Sequence, residues 1–304
     1  MRPWLRRFLR CLPTLALLAL LAPPASAQRI LNDNPSAACP GQPLKCIQGA
    51  PFPNRARNGV QRVYAVYYYD SGPMAGQYAA GCGTAWQLNQ PTNGNNTFIT
   101  ARHVLEGNDA GGHYSAVSVQ LEFFYVPAAG RTCGVLTSDE CHQFASDCST
   151  PTVRQAPCWD WDQTCDLGRI LLQPFNVPAG ADWFGLAFAD PAVGTQAWIP
   201  QHPQGRCMEW DEGIVTAAPA GCEFSHQIST QGGSSGAPVL TVSGGPQVLG
   251  VHVAASVQGG VPSCPNQAVY QSRLQAFLAT PFSPGCDPTR TAPKNWGNLK
   301  TLYR

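Results

Sequence analysis

Residues 229–240 read STQGGSSGAPVL, with two adjacent serines, Ser234 and Ser235, set between glycines just before an apolar run. A serine hydroxyl attacks an amide only where an imidazole takes its proton and a carboxylate fixes that imidazole's tautomer. Backbone N–H groups must also meet the oxyanion that forms, and flanking glycines let the chain turn them inward. Two upstream stretches supply the other groups. TFITARHV, 97–104, places His103 just after an apolar strand, and CDLGRILL, 165–172, places Asp166 just before one. The spacings are 63 residues from His103 to Asp166 and 69 from Asp166 to Ser235. Plainer readings stand beside these: a strand-end histidine is often a structural hydrogen-bonding residue, and GGSSG can be a flexible turn. Asp160 and Asp162 compete with Asp166 for the third role. The position directly before a strand, where a carboxylate can be buried against an imidazole, favours Asp166.

Bulk properties place this chemistry outside the cytoplasm. Arg2, Arg6, Arg7 and Arg10 form a basic head, Leu12–Ala22 an apolar core and ASAQ a small-residue cleavage site, the pattern of a signal peptide over 1–27. Arg6 and Arg7 fit a twin-arginine signal poorly, which favours the general secretory route. The apolar run is too short for a membrane anchor. Cleavage after Ala27 removes Cys11 and leaves twelve of the thirteen cysteines, an even number that predicts disulfides. No C-x-x-C pair occurs, so no metal site is expected. The same cleavage removes four arginines and no acids, taking the formal charge from +1 to −3, with three lysines in the chain; no nucleic-acid partner is implied.

Short apolar and β-branched runs recur between Gly, Pro, Asn and Asp: RVYAVYYYD, GCGTAWQL, NTFITARHV, AVSVQLEFFYV, LGRILLQ, TQAWIPQ, GAPVLTV, PQVLGVHVAAS and QAVYQS. Their lengths predict strands, and only Arg273–Ala279 has helical spacing without a breaker. The expectation is an all-β protein of antiparallel sheets closing into barrels, with a short C-terminal helix. A joint in QPFNVPAGADWFG divides the mature chain into residues 28–175 and 176–285, followed by a tail over 286–304 that Cys286 ties down. Residues Pro127–Cys165 hold five cysteines among few strand signals and read as a disulfide-tied surface loop.

The sequence resembles the trypsin-like, chymotrypsin-fold serine peptidases in TARH at 100–103, DLGRILL at 166–172 and the G-x-S-G-x-P pattern at 233–238. That resemblance implies two six-stranded antiparallel β-barrels with the site in the cleft between them. It implies Ser235 as nucleophile, His103 as base, Asp166 as its orienting carboxylate, and the N–H groups of Gly233 and Ser235 as the oxyanion hole. Ser234 stands where many animal members carry an aspartate that pairs with a newly freed N-terminal ammonium, so that activation switch is absent. The flanks CPGQPLKC at 39–46, RTCGV at 131–135, 182–205, VLGVH at 248–252 and GGVPSC at 259–264 resemble the bacterial lysyl endopeptidase-like branch. That branch implies disulfides Cys39–Cys264 and Cys46–Cys133, although sequence alone does not fix connectivity. Val104 stands where the branch has a cysteine, which leaves Cys82 to another partner.

The primary pocket departs from that branch. An ammonium buried there needs a carboxylate, yet no Asp or Glu lies between Ser225 and Gly285. The floor position six before Ser235 is Ser229, and Asn266 stands where lysyl endopeptidases place their aspartate. Cleavage after Lys or Arg is not expected. A second resemblance, to the bacterial glutamyl endopeptidases, rests on ISTQGGSSGAPVL and NQAVYQSRLQAFL. It implies that Thr230 and His252 bind an acidic side chain, as a hydroxyl donor and a protonatable imidazole can. VAAS after His252 brings methyl groups to the pocket and keeps a small apolar side chain as the rival. The reading is a secreted or periplasmic, monomeric serine endopeptidase acting on protein or peptide substrates through an acyl-enzyme, with no cofactor. The alternative is an inactive peptidase-like binding or adhesion module.

Overall fold

A computed structural model describes residues 30–31, 44–88, 96–128, 148–258 and 261–282. The signal segment, Cys39, Cys133 and Cys286 lie outside them. No helix among the described residues is long and apolar enough to cross a membrane. The chain runs through β1 (Ile30–Leu31), β2 (Lys45–Cys46), helix α1 (Pro53–Gly59), β3 (Val60–Tyr69), β4 (Tyr78–Gln87), β5 (Asn96–Thr100), β6 (Glu106–Asp109), β7 (Gly112–Phe123), β8 (Thr152–Gln155), β9 (Cys158–Trp161) and β10 (Gly168–Leu172). It continues with β11 (Gly185–Leu186), β12 (Gln196–Gln201), β13 (Glu209–Ala220), β14 (Glu223–His226), β15 (Pro238–Thr241), β16 (Gln247–Gln258), β17 (Val261–Tyr270) and helix α2 (Gln271–Ala279).

The strands form two barrel-like sheets. The first runs β6-β7-β3-β4-β5-β10-β9, with β1 beside β4 and β8 beside β7. In the second, β16-β15-β12-β13-β14-β17 closes into a six-stranded ring through the β16–β17 pairing, with β11 and β2 added at its edges. The first sheet has seven strands along this path and nine with β1 and β8, and the second has six in its ring and eight with β11 and β2. Among the described residues every pairing between these strands is antiparallel except the two-residue β1–β4 and β11–β16 contacts. Side chains alternate across each strand, and the inner sets form the cores: Trp86, Phe98, Leu121 and Ile170 in the first sheet, and Ile199, Val215, Phe224 and Val239 in the second.

Three features differ from the sequence expectation. Residues Pro53–Gly59 form a helix that their polar composition hides; Pro53 suits its first turn, where the missing N–H costs nothing. Helix α2 starts at Gln271, two residues before the expected Arg273. The region Pro127–Cys165 is more than a surface loop, because β8 and β9 within it pair with β7 and β10. Its cysteines reach across to the second sheet, in the disulfides Cys148–Cys207 and Cys165–Cys222. Cys46, Cys82, Cys158 and Cys264 are disulfide-bonded as well.

Two buried arginines complete the framework. Arg169 donates to both Asp160 carboxylate oxygens, at 2.5 and 2.8 Å, and to the carbonyls of Thr280 and Pro281, which fastens the end of α2 to the first sheet. Arg62 on β3 pairs with Glu122 on β7, donates to the carbonyl of Gly205 and lies 4.2 Å from the Tyr125 ring centre. A charge this deep is tolerable because a carboxylate, a carbonyl and an aromatic face meet it.

Candidate active site

Register brings two of the sequence-named residues together. In the β5–β10 pairing Gly168 faces Thr100, so the residue two before β10 and the turn two after β5 meet at one end of the sheet. His103 sits there in a single helical turn, Arg102–Val104. Its Nδ1 is 2.7 Å from Asp166 Oδ2, and its backbone N–H donates to Asp166 Oδ1 at 2.9 Å. The carboxylate therefore grips both the ring and the main chain of the histidine. The Tyr114 hydroxyl donates to the His103 carbonyl at 2.9 Å and pins the turn from the other side. Burial opposes ionisation of Asp166, but the charge of His103 and hydrogen bonds from its ring and from the His103 and Arg102 N–H groups outweigh it, so the carboxyl is held below its usual range. The other acids are engaged elsewhere: Asp160 with Arg169, and Asp162 Oδ1 with the N–H groups of Thr164 and Cys165.

The serine turn is clamped onto the same place. Thr84 N–H on β4 donates to the Ser235 carbonyl at 2.8 Å, and the Thr84 hydroxyl donates to the Gly233 carbonyl at 2.9 Å. Gly236 is at φ +91°, and a Cβ there would meet Thr84 O, Thr100 Oγ1 and, at 2.9 Å, Ala101 N. Only glycine fits a backbone so near the strand that leads into His103. Gly233 is likewise left-handed, at φ +86°. Ser234 is fully buried; its hydroxyl donates to Gln201 Oε1 and accepts from the Gln231 N–H at 3.1 Å. That hydroxyl belongs to the interior of the second barrel.

The residues named for substrate binding lie behind this turn. His252 is next to it through the backbone: Gly236 N–H donates to the His252 carbonyl and His252 N–H to the Ala237 carbonyl, both at 2.8 Å. Thr230 is fully buried, and its hydroxyl has no hydrogen-bond partner among the described residues. Asn266 donates to the Ile228 carbonyl at 2.7 Å, so its amide braces the chain just before Ser229. The sequence reading missed two residues. His226, on β14, has its Nε2 3.4 Å from His252 Nδ1. Asp211, on β13, is buried and accepts from the Ser229 N–H at 2.9 Å, with Lys45 3.8 Å from its other oxygen. A carboxylate thus stands behind Ser229 although none lies between Ser225 and Gly285 in the chain. Burial raises its pKa, against the opposing influence of Ser229, Glu212 and Lys45.

Burial also keeps the two imidazoles neutral. His226 is lowered from the usual 6.5 to about 3, and His252 well below 6.5, by burial first and then by the charges of His226 and His103. Below pH 6.5 the unfolded chain protonates at His226 while the folded chain does not until about 3, so this residue costs stability as pH falls. In His226→Gln, the slope of unfolding free energy against pH from about 5.5 to 4 is expected to flatten by about 1.4 kcal/mol per unit. A slope equal to the wild type's in denaturant titrations would contradict this burial.

Comparison with known proteins gives one family and several distant likenesses. A curated protein of Plasmopara viticola, secreted RxLR effector protein 73, is 31% identical over 123 residues, 37% of this chain and 28% of its own, so the chain spans under a third of that relative. Among solved structures, the active form of the Rv3671c protease from M. tuberculosis aligns at a TM-score of 0.47 with 14% identity, covering 77% of this chain and 87% of its own. The HtrA-type protease AlgW, with a tripeptide, aligns at 0.49 with 15% identity, covering 76% and 62%. The family model of the trypsin-like peptidase domain matches residues 83–251, more than half of the 304, and takes in His103, Asp166 and Ser235 alike. The chain is a member of the trypsin-like peptidase domain family.

Proposed function

We propose that this protein is a secreted or periplasmic serine endopeptidase that works as a monomer on protein or peptide substrates. The observation that carries the proposal is the His103–Asp166 pair, 2.7 Å from Nδ1 to Oδ2, beside a serine turn held to β4 and β5. With Nδ1–H given to Asp166, Nε2 is left as the base. Ser235 Oγ attacks the peptide carbonyl as its proton passes to His103 Nε2, and the oxyanion meets the N–H groups of Gly233 and Ser235. His103 then gives that proton to the leaving amine, and water repeats the sequence on the acyl-enzyme. The disulfides Cys148–Cys207 and Cys165–Cys222 support an oxidising compartment.

For the primary pocket we propose preference for an acidic side chain, donated to by the Thr230 hydroxyl and by His252. The unpartnered Thr230 hydroxyl supports this, since a buried donor without an acceptor is costly until a ligand supplies one. His252, neutral in the empty pocket, gains a proton more readily once a carboxylate is beside it. Digesting a proteome-derived peptide library and mapping the residue before each cut tests the pocket. Enrichment of Glu and Asp, lost at least tenfold in Thr230→Val, is the expected outcome (about 1.4 kcal/mol). A mixed or small apolar profile removes the assignment.

A further inference from the structure

In a trans peptide the C=O and N–H point to opposite sides of one plane, so fixing one fixes the other. The peptide joining Gly232 to Gly233 carries the Gly233 N–H assigned above to the oxyanion hole. Its C=O accepts a hydrogen bond from the backbone N–H of Gln204. A Cβ on Gly233 would lie 2.7 Å from His202 O and 3.0 Å from the nitrogens of Gln204 and Gly205, so the serine turn is seated directly on residues 202–205. The direction of the Gly233 N–H is thus set by a neighbouring turn.

That neighbouring turn closes through the Gly205 N–H to the His202 carbonyl at 3.1 Å and the Arg206 N–H to the Pro203 carbonyl at 2.9 Å, and Gln204 sits at its strained point. Gln204 is at φ +52°, a left-handed conformation that costs energy in a residue with a Cβ. Arg206 spans the three groups that matter: Nη1 donates to Gln204 Oε1 at 2.5 Å, Nη2 to Gln231 Oε1 at 3.1 Å, and Nε to Glu209 Oε1 at 3.1 Å. Gln204 is the residue whose N–H locks the peptide, Gln231 lies in the serine loop, and Glu209 belongs to rigid β13. Arg206 and Glu209 are both largely buried, 12% and 1% exposed at the side chain, so water competes little for these bonds. Ser234 offers the loop a hydroxyl bonded to Gln201 and no charge.

We propose that Arg206 is a positioning residue for the oxyanion hole: it holds Gln204 so that the Gln204 N–H keeps the Gly232–Gly233 peptide turned with the Gly233 N–H toward the cleft. This rests on the proposed role of Ser235. Without the clamp, Gln204 relaxes to the right-handed region, its N–H leaves the Gly232 carbonyl, and the peptide can turn over and withdraw the donor.

The test compares full-length Arg206→Met and Arg206→Lys with the wild type, using a peptide substrate from the library above. The readouts are kcat, KM, unfolding temperature, and affinities for a peptide aldehyde, whose adduct places an oxyanion in the hole, and for the matching peptide amide. Arg206→Met is expected to lose roughly 100-fold in kcat and in aldehyde affinity, with KM, amide affinity and unfolding temperature near wild type. Lysine, a point donor that cannot span three acceptors, restores little of it. Unchanged kcat and aldehyde affinity overturn the proposal, and so does an equal loss of aldehyde and amide affinity. If Arg206→Met does not fold, Gln204→Ala, which removes one acceptor and keeps the backbone N–H, is held to the same two outcomes. Failure of the catalytic reading is separately visible as a wild-type protein that a fluorophosphonate does not label at Ser235. A labelled wild type matched in rate by Arg206→Met overturns the clamp alone.

Discussion

Ser235→Ala is expected to end labelling by a fluorophosphonate and to lower kcat by about 10⁶-fold, while Ser234→Ala leaves labelling in place. The two serines are neighbours in sequence, and both are buried. Ser235 is in the turn whose carbonyl is held by Thr84 and whose following glycine abuts Ala101, two residues before His103. The Ser234 hydroxyl is occupied by Gln201 and Gln231 inside the second barrel. Removing it strands a buried amide oxygen and a part-buried N–H, and the expected cost is about 1–3 kcal/mol of stability. Labelling rate and denaturant midpoint, read on both variants, separate a nucleophile from a structural hydroxyl. Labelling that survives in Ser235→Ala would refute the mechanism as assigned.

Asp166→Asn is expected to lower kcat by about 10⁴-fold without unfolding the protein. The asparagine oxygen can still accept from the His103 N–H, as Asp166 Oδ1 does at 2.9 Å, so the turn keeps its place. Its NH₂ group, however, would face His103 Nδ1 where a carboxylate oxygen now stands at 2.7 Å. A donor facing Nδ1 forces the proton onto Nε2, and an Nε2–H cannot accept the serine proton. Asp160→Asn provides the contrast. It weakens the buried pair with Arg169 and is expected to cost about 3 kcal/mol of stability, with kcat in the folded protein close to wild type. If the two substitutions had the reverse effects, with Asp160→Asn the inactive one, the assignment of Asp166 would fall.

What the residues said about the fold was strongest where apolar periodicity was unbroken. RVYAVYYYD, LGRILLQ and GAPVLTV fall within or around β3, β10 and β15, because short continuous apolar runs bounded by turn residues suit strands buried on both faces. β13 escaped notice because Glu209, Asp211 and Gly213 interrupt any such period. Those acids are tolerated in a buried strand because Arg206 meets Glu209 from three residues away, while the Ser229 N–H and Lys45 reach Asp211 from distant parts of the chain. Helix α1 was hidden for the same reason: its support comes from packing on the sheet, which seven mostly polar residues do not advertise.

By itself the sequence determined which groups are present and in what order: one imidazole after an apolar strand, one carboxylate before another, and a serine in a turn that needs glycine on both sides. Those are local requirements of chemistry and backbone, so they are written locally. Only the tertiary structure decided which of three nearby acids grips His103, which serine hydroxyl is locked in the interior, that Asp211 stands behind Ser229, and that Arg206 spans Gln204, Gln231 and Glu209. Apart from the short-range Arg206 bonds to Gln204 and Glu209, these are contacts between segments separated along the chain, set by strand register and by the seating of one turn on another. Register depends on the whole pattern of pairing, which no single stretch of residues carries.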